Sequence, residues 1–219
     1  MKNNLKNLIL ITSLFGFLSC NKEDELVSTI VPEIYPDIVL TGDPVLAVTL
    51  GGSYTEAGAV AIDSSVTPPV VTVLTPIFNN VNTDTAGFYS VKYTAKTTNG
   101  FISNATRLVL VTDFDPNVDL SGTYARVSNG QTATITKKGT GLYTTDNVGG
   151  VADNPSYIYD VYFAQLNDST IVVPTQPNAL GGDITCEDVT LNVSISDTVI
   201  SWVVVGSGYG PALRVFEHQ

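Results

Sequence analysis

Few residues in this chain could do chemistry. Its 219 residues include one histidine, His218, and two cysteines, Cys20 and Cys186. A general base or a metal ligand needs a ring that is positioned and supported, and a penultimate histidine on a frayed end offers neither. Ser-His-Asp and Cys-His arrangements therefore have no base, and Cys186 has no partner. Zinc is held by closely spaced histidine and cysteine pairs, and none occur. The paired glycines Gly51-Gly52, Gly149-Gly150 and Gly181-Gly182 stand in turn settings, without the lysine that completes a phosphate-binding loop. No cofactor is expected.

Two groups of oxygen donors need weighing. Asp146, Asp153, Asp160, Asp183, Glu187 and Asp188 could supply the carboxylate pair of a glycoside hydrolase, but most sit beside Gly, Asn or Pro, as acids of solvated turns do. Asp113, Asp115, Asn117 and Asp119 place oxygens at alternate positions, which suits a hard cation such as calcium. The run lacks the mid-loop glycine and the closing glutamate of a calcium loop, so a solvated linker is the simpler reading, and no metal site is expected. Binding is better served. Tyr157, Tyr159, Tyr162, Trp202 and Tyr209 fall in the same half as Asn147, Asp153 and Asn154. Sugars stack on aromatic rings while amides and carboxylates take their hydroxyls, and loops on a β scaffold hold such groups. Tyr157, Trp202 and Tyr209 are the expected ligand contacts. The competing reading is that these rings are core, and Trp202, in mid-strand, leans that way.

The best-defined chemistry belongs to Cys20. Lys2 and Lys6 precede an apolar run from Leu8 to Leu18, too short for the roughly 20 residues a membrane-spanning helix needs and suited to the core of a signal peptide. Leu18-Ser19-Cys20 follows directly and resembles the lipobox of bacterial lipoproteins, with Phe17 where leucine is commonest. The resemblance implies a signal peptide over residues 1–19 and a Cys20 carrying lipid, such as palmitate. Two acyl chains would hold the protein firmly, at about 0.8 kcal/mol per buried CH₂. Lys22, Glu23, Asp24 and Glu25 then resemble the surface-export signal of Bacteroides-type lipoproteins. They imply an outer-membrane protein facing outward, on a flexible acidic tether over residues 20–32.

Loss of Lys2 and Lys6 with the signal peptide takes the net charge from −11 to −13. Such a chain repels phosphate backbones, so nucleic acid is excluded as a partner. With Cys20 lipidated no internal disulfide can form, and apolar cores must hold the fold. Val, Thr, Ile and Tyr abound between regularly spaced Gly, Pro, Asn and Asp, the signature of an all-β protein. In the first half strands are expected at Ile38–Leu40, Val45–Leu50, Tyr54–Asp63, Val70–Leu74, Gly87–Lys96 and Thr106–Val111. Within Gly87–Lys96 the set Tyr89, Val91, Tyr93, Ala95 should face the core. Ile38-x-Leu40-x-Gly42, Gly52-Ser53-Tyr54-Thr55-Glu56-x-Gly58 and Asn82-Thr83-x-Thr85-x-Gly87-x-Tyr89 together resemble the bacterial Ig-like domains of the pesticidal-crystal-protein type. That resemblance implies a β-sandwich over residues 33–112 acting as a spacer or adhesion module, and Asp84 to Tyr89 looks like an Ig tyrosine corner.

Residues 113–118 read as the linker to a second domain over 119–219. Strands are expected there at Leu120–Tyr124, Thr132–Thr136, Leu142–Thr145, Ile158–Leu166, Thr170–Val173, Val189–Ser196, Ile200–Val205 and Leu213–Phe216, with a tight turn at Asp197-Thr198. So many short strands argue for a closed or nearly closed antiparallel barrel or sandwich. Leu120-Ser121-Gly122-x-Tyr124, Asp146-x-x-Gly149-Gly150 and Gly208-Tyr209-Gly210 resemble the C-terminal β domain of Bacteroides-type lipoproteins of unknown function. The expected protein is a non-enzymatic surface lipoprotein that binds a glycan or other surface ligand in nutrient uptake or adhesion. The alternatives are a structural accessory subunit of an outer-membrane transporter and, further off, a glycoside hydrolase.

Overall fold

A computed structural model describes residues 32–115, 119–152, 154–194, 197–206 and 208–219. Cys20, the signal peptide, the export signal at Lys22, Glu23, Asp24 and Glu25, most of the tether, Asn117 and Asp153 lie outside the described residues. Glu33–Gln219 forms one compact unit. Among the described residues every regular element is a strand and none is a helix.

The first half is a two-layer sandwich of β1 (Asp37–Leu40), β2 (Val45–Val48), β3 (Ala59–Asp63), β4 (Val70–Leu74), β5 (Phe78–Asn79), β6 (Gly87–Lys96) and β7 (Ile102–Val111). One sheet has the order β1-β3-β4 and the other β2-β7-β6-β5, with β2 parallel to β7. β6 alternates as expected from Val91 onward, while Tyr89, expected on the same inner face, is only half-buried. Val91, Tyr93 and Ala95 are buried while Lys92 and Lys96 are exposed. The core is small: Ala59, Val91 and Tyr93 pack with Ile38, Leu40, Tyr54, Leu74 and Val81. The strand expected over Tyr54–Asp63 begins only at Ala59. Gly58 sits at φ +89° and donates its N–H to the Glu56 carboxylate at 2.9 Å. That bends residues 54–58 across the sandwich before pairing resumes.

The second half is a single nine-stranded antiparallel sheet. Its strands are β8 (Gly122–Arg126), β9 (Thr132–Gly139), β10 (Leu142–Thr145), β11 (Val161–Asn167), β12 (Thr170–Val172), β13 (Gln176–Pro177), β14 (Asp183–Val193), β15 (Thr198–Gly206) and β16 (Leu213–His218). The order is β12-β11-β10-β9-β8-β16-β15-β14-β13, so consecutive strands β12 and β13 form the two edges. The sheet curls until these edges approach, and the Gln176 side chain bridges the seam: its amide accepts from Tyr162 N at 2.9 Å and donates to Tyr162 O at 2.8 Å. Thr185 adds a bond to Val173 O at 3.1 Å. The curl encloses one apolar core, along which Tyr143, Phe163, Trp202 and Phe216 stand ring against ring, with centroids 5.5, 6.1 and 5.4 Å apart.

Two sequence expectations change here. Asp197-Thr198 is not the turn expected there: Asp197 exchanges backbone bonds with Ser194, and Thr198 already lies in β15. His218 is not frayed. It pairs with Tyr124 at the end of β16, and Gln219 N donates to Thr123 O at 2.9 Å. The two halves meet through Leu110, Leu142 and Ala164, surrounded by Val45, Phe88, Tyr162, Leu166 and Val172. The cause is a row on the outer face of the four-stranded sheet, where Phe88 opposes Leu110.

Candidate functional site

Trp202, expected as a ligand contact, is a core residue: it is 1% exposed and its indole N–H donates to Val148 O at 2.7 Å. The physical reason is strand alternation, which puts Trp202 on the inner face of β15 with buried Ile200 and Val204. Tyr157 and Tyr209 are brought together, edge to face at 5.3 Å and 85°. Both are half-buried and spend their rings on each other rather than offering a flat platform. Arg214 lies 5.5 Å from the Tyr209 ring, and burial pushes the Tyr209 hydroxyl well above its ordinary range.

Asp146 accepts from Thr134 N at 2.7 Å, Asp160 stands 3.9 Å from Lys138 on the surface, and Glu187 and Asp188 are exposed at a bulge in β14. Asn147 is consumed by the backbone at Thr132 and Val151, and Asn154 by Ser156 N. Asp119 accepts from Ser121 N and Oγ at 2.9 and 2.7 Å, which holds its carboxyl below the usual range. Among the described residues, no three His, Cys, Asp or Glu side chains gather as metal ligands.

Lys92 marks the place where the structure does assemble polar groups. The outer face of β6–β7 is covered by the second half at the Phe88–Leu110 end. Beyond the cover, a cleft of about 420 Å³ opens between this face and the β13–β14 turn. Lys92, Thr106 and Asn104 form its floor, Ile77 and Pro177 its apolar sides, and Asp183 its far wall. Lys92 opposes Thr106, and Thr94 opposes Asn104, so these groups share one face by register. The Lys92 ammonium lies 5.8 Å from the Phe78 ring, a contact of about 0.5–1 kcal/mol at such an exposed site. The far wall is built by Asn178, whose side chain accepts from Leu180 N at 2.8 Å and whose N–H donates to Gly182 O at 3.1 Å. Gly181 and Gly182 take φ of +82° and +99°, which few other residues tolerate. A smaller pocket of about 170 Å³ adjoins it through Lys92, lined by Asn80, Ser90 and Thr175.

Behind that floor lies a buried polar centre of the first half, an ion pair between Glu56 and Arg107. Glu56 accepts from Arg107 Nε at 2.9 Å, from Tyr93 Oη at 2.8 Å, from Gly58 N and from Tyr54 Oη. Arg107, 1% exposed, also donates to Thr41 O at 2.7 Å, to Gly58 O at 3.3 Å and to Asp43 O. Burial works to raise the Glu56 carboxyl, but the bonds from Tyr54, Gly58 and Tyr93 and the Arg107 charge outweigh it and hold it below the ordinary value. Burial and the same carboxylate push the Tyr93 hydroxyl up to about 12. Each acceptor and donor is used internally, so this network pins the β1–β2 connection to residues 56–58 instead of presenting a site. Tyr93 is fixed inward, and Lys92 is thereby fixed outward into the cleft.

Tyr89 completes the pattern, its hydroxyl donating to Thr85 O at 2.8 Å as the corner tyrosine of an Ig sandwich does. Residues 38–111 match the family model of the bacterial surface protein Ig-like domain. No curated protein matches the chain. Among solved structures, the chain is similar to a lipoprotein from Bacteroides thetaiotaomicron, at 18% identity and a TM-score of 0.37, over 84% of this chain and 100% of that one. The Ig-like domain thus ends at the strand that carries Leu110, and its outer face supplies both the junction with the nine-stranded sheet and the floor of the cleft.

Proposed function

We propose that the chain is a non-catalytic binding module of the cell surface, held at the outer membrane by lipid on Cys20, and that its ligand is a carbohydrate seated in the junction cleft. The observation that carries the reading is the composition of that cleft: one ammonium, one carboxylate, an amide and a hydroxyl between apolar walls, on strands rather than mobile loops. Opposed charges and neutral donors suit a hydroxyl-rich ligand of no strong charge. Glycoside hydrolysis uses a pair of carboxylates, and the cleft is lined by one, Asp183, which supports binding over turnover. The Ig-like family, described as that of bacterial surface proteins, and the lipobox-like Leu18-Ser19-Cys20 support the location.

The test is a glycan array probed with the purified chain and with Lys92→Ala and Asn104→Ala. The parent should bind a defined set of glycans, and either substitution should weaken that binding at least about tenfold, a loss of ~1.4 kcal/mol. A silent array, or binding unchanged in both variants, rules the cleft out. For the anchor, labelled palmitate should enter the parent and be lost in Cys20→Ala; label retained in that variant overturns the lipid assignment.

A further inference from the structure

The outer face of the β1-β3-β4 sheet is apolar where solvent should make it polar. An antiparallel sheet with one solvated face alternates apolar inward and polar outward. Here the register sets Val39, Val60 and Val73 in one cross-strand row, and Ile62 between Val71 and the single acid Asp37 in the next. Val71 is 63% and Val73 82% exposed, and among the described residues nothing covers them. β4 is also one of the two edges of this sheet. Edges are ordinarily blunted by a charge, a proline within the strand or a bulge. β4 reads Val-Val-Thr-Val-Leu and pairs with β3 in unbroken register.

Charge selects the occupant. The chain carries a net charge of −11, yet no charged residue falls between Ser64 and Thr83, its longest neutral stretch. A basic partner would be drawn to the acidic remainder of the surface. Two copies of this chain repel each other over most approaches, and this neutral edge is where they can meet without like charges opposed.

The geometry points to a second copy of this chain docked edge to edge, β4 against β4, antiparallel and centred on Thr72. Two three-stranded sheets become one of six strands, by a self-complementary twofold contact. In this register Val71 of each copy faces Val73 of the other, Val70 faces Leu74, and Thr72 faces itself, with Cβ atoms about 5 Å apart. The exposed valine rows then join into one apolar face, with Asp37 only at its two outer margins.

Sedimentation equilibrium of the full chain in detergent tests this, alongside mild oxidation of Thr72→Cys. The parent should dimerise with rising concentration, and Thr72→Cys should yield a disulfide-linked dimer. The double variant Val71→Lys/Val73→Lys sets like charges opposite each other and should be monomeric. Val71→Lys/Val73→Glu sets each lysine opposite a glutamate across the twofold and should restore the dimer. Val127→Lys, at an exposed valine in the second half, should dimerise as the parent does. A parent that stays monomeric, a dimer indifferent to Val71→Lys/Val73→Lys, or a Thr72→Cys that cross-links in isolated membranes to a different protein would each overturn the proposal.

Discussion

Arg107 in the Ig-like half and Arg214 in the nine-stranded half are both buried, yet only Arg107 has a carboxylate beside it. Arg214 is satisfied by carbonyls alone: Gly149 O at 3.2 Å, Ala212 O at 2.6 Å and Gly210 O at 3.2 and 3.3 Å. Burial and the neighbouring Arg126 lower its affinity for a proton. The difference follows from the two cores. The Ig-like half has three fully enclosed apolar residues in its core cluster and fixes its loops with a polar pin reaching from residue 41 to residue 107. The nine-stranded half encloses an aromatic spine, and its arginine serves to close the chain around Gly149 and Gly210. Where apolar volume is scarce, this molecule specifies its shape with a buried ion pair; where volume is ample, it does so by packing.

The largest test of that contrast is Trp202→Ala, which should cost about 4 kcal/mol in urea unfolding, the range for deleting a large ring from a packed core. Arg107→Met should cost about 3 kcal/mol, because it leaves the Glu56 charge without its partner. Adding Glu56→Leu should recover much of that loss, and a double variant no better than Arg107→Met would show that packing rather than pairing is lost. Acid probes the same pin. The Glu56 carboxyl lies below its ordinary 4.5 in the folded chain, so its contribution is present above that value and fades as pH falls through the folded one. The stability gap between parent and Glu56→Gln should therefore narrow between neutral pH and about pH 3; a constant gap contradicts the assignment.

Arg214→Met should cost less, about 2 kcal/mol, the penalty for carbonyls left unpaired without a stranded counter-charge. Finally, each half has a tyrosine whose hydroxyl reaches back four residues: Tyr89 to Thr85 O at 2.8 Å, exposed, and Tyr124 to Leu120 O at 2.9 Å, buried. Tyr124→Phe should cost about 1.5 kcal/mol and Tyr89→Phe about 0.5 kcal/mol, since water can replace only the exposed bond. Equal losses on thermal unfolding would remove the distinction between wet and dry corners.

Local patterns carried most of the fold. β6 and β10 occur at the expected residues because each is rich in aromatic and β-branched residues and is bounded by turn residues. The tyrosine corner at Tyr89 was legible from Asp84 to Tyr89 alone. β5 and β13 were not, since each is two residues long and too short to show a period. Trp202 leans inward from its mid-strand place, and Ile200 and Val204 on either side carry that signal. The Glu56–Arg107 pair spans 51 residues, and the cleft joins β6–β7 to a turn near Asp183; register across the whole chain decides both, and no local stretch encodes it.

β16 has one more consequence. The last strand lies in the middle of its sheet, between β8 and β15, pairing Phe216 with Arg126 on one side and with Ile200 on the other. A chain emerging residue by residue can form the β8–β12 hairpins and the β13–β15 arm early, but these remain two separate flaps. They become one sheet only when residues 213–218 arrive, a closure across some 90 residues of sequence that is slow for the same entropic reason as other distant pairings. Until then both flanking strands are open edges. The second half is thus built to stay unfinished through nearly all of its own synthesis.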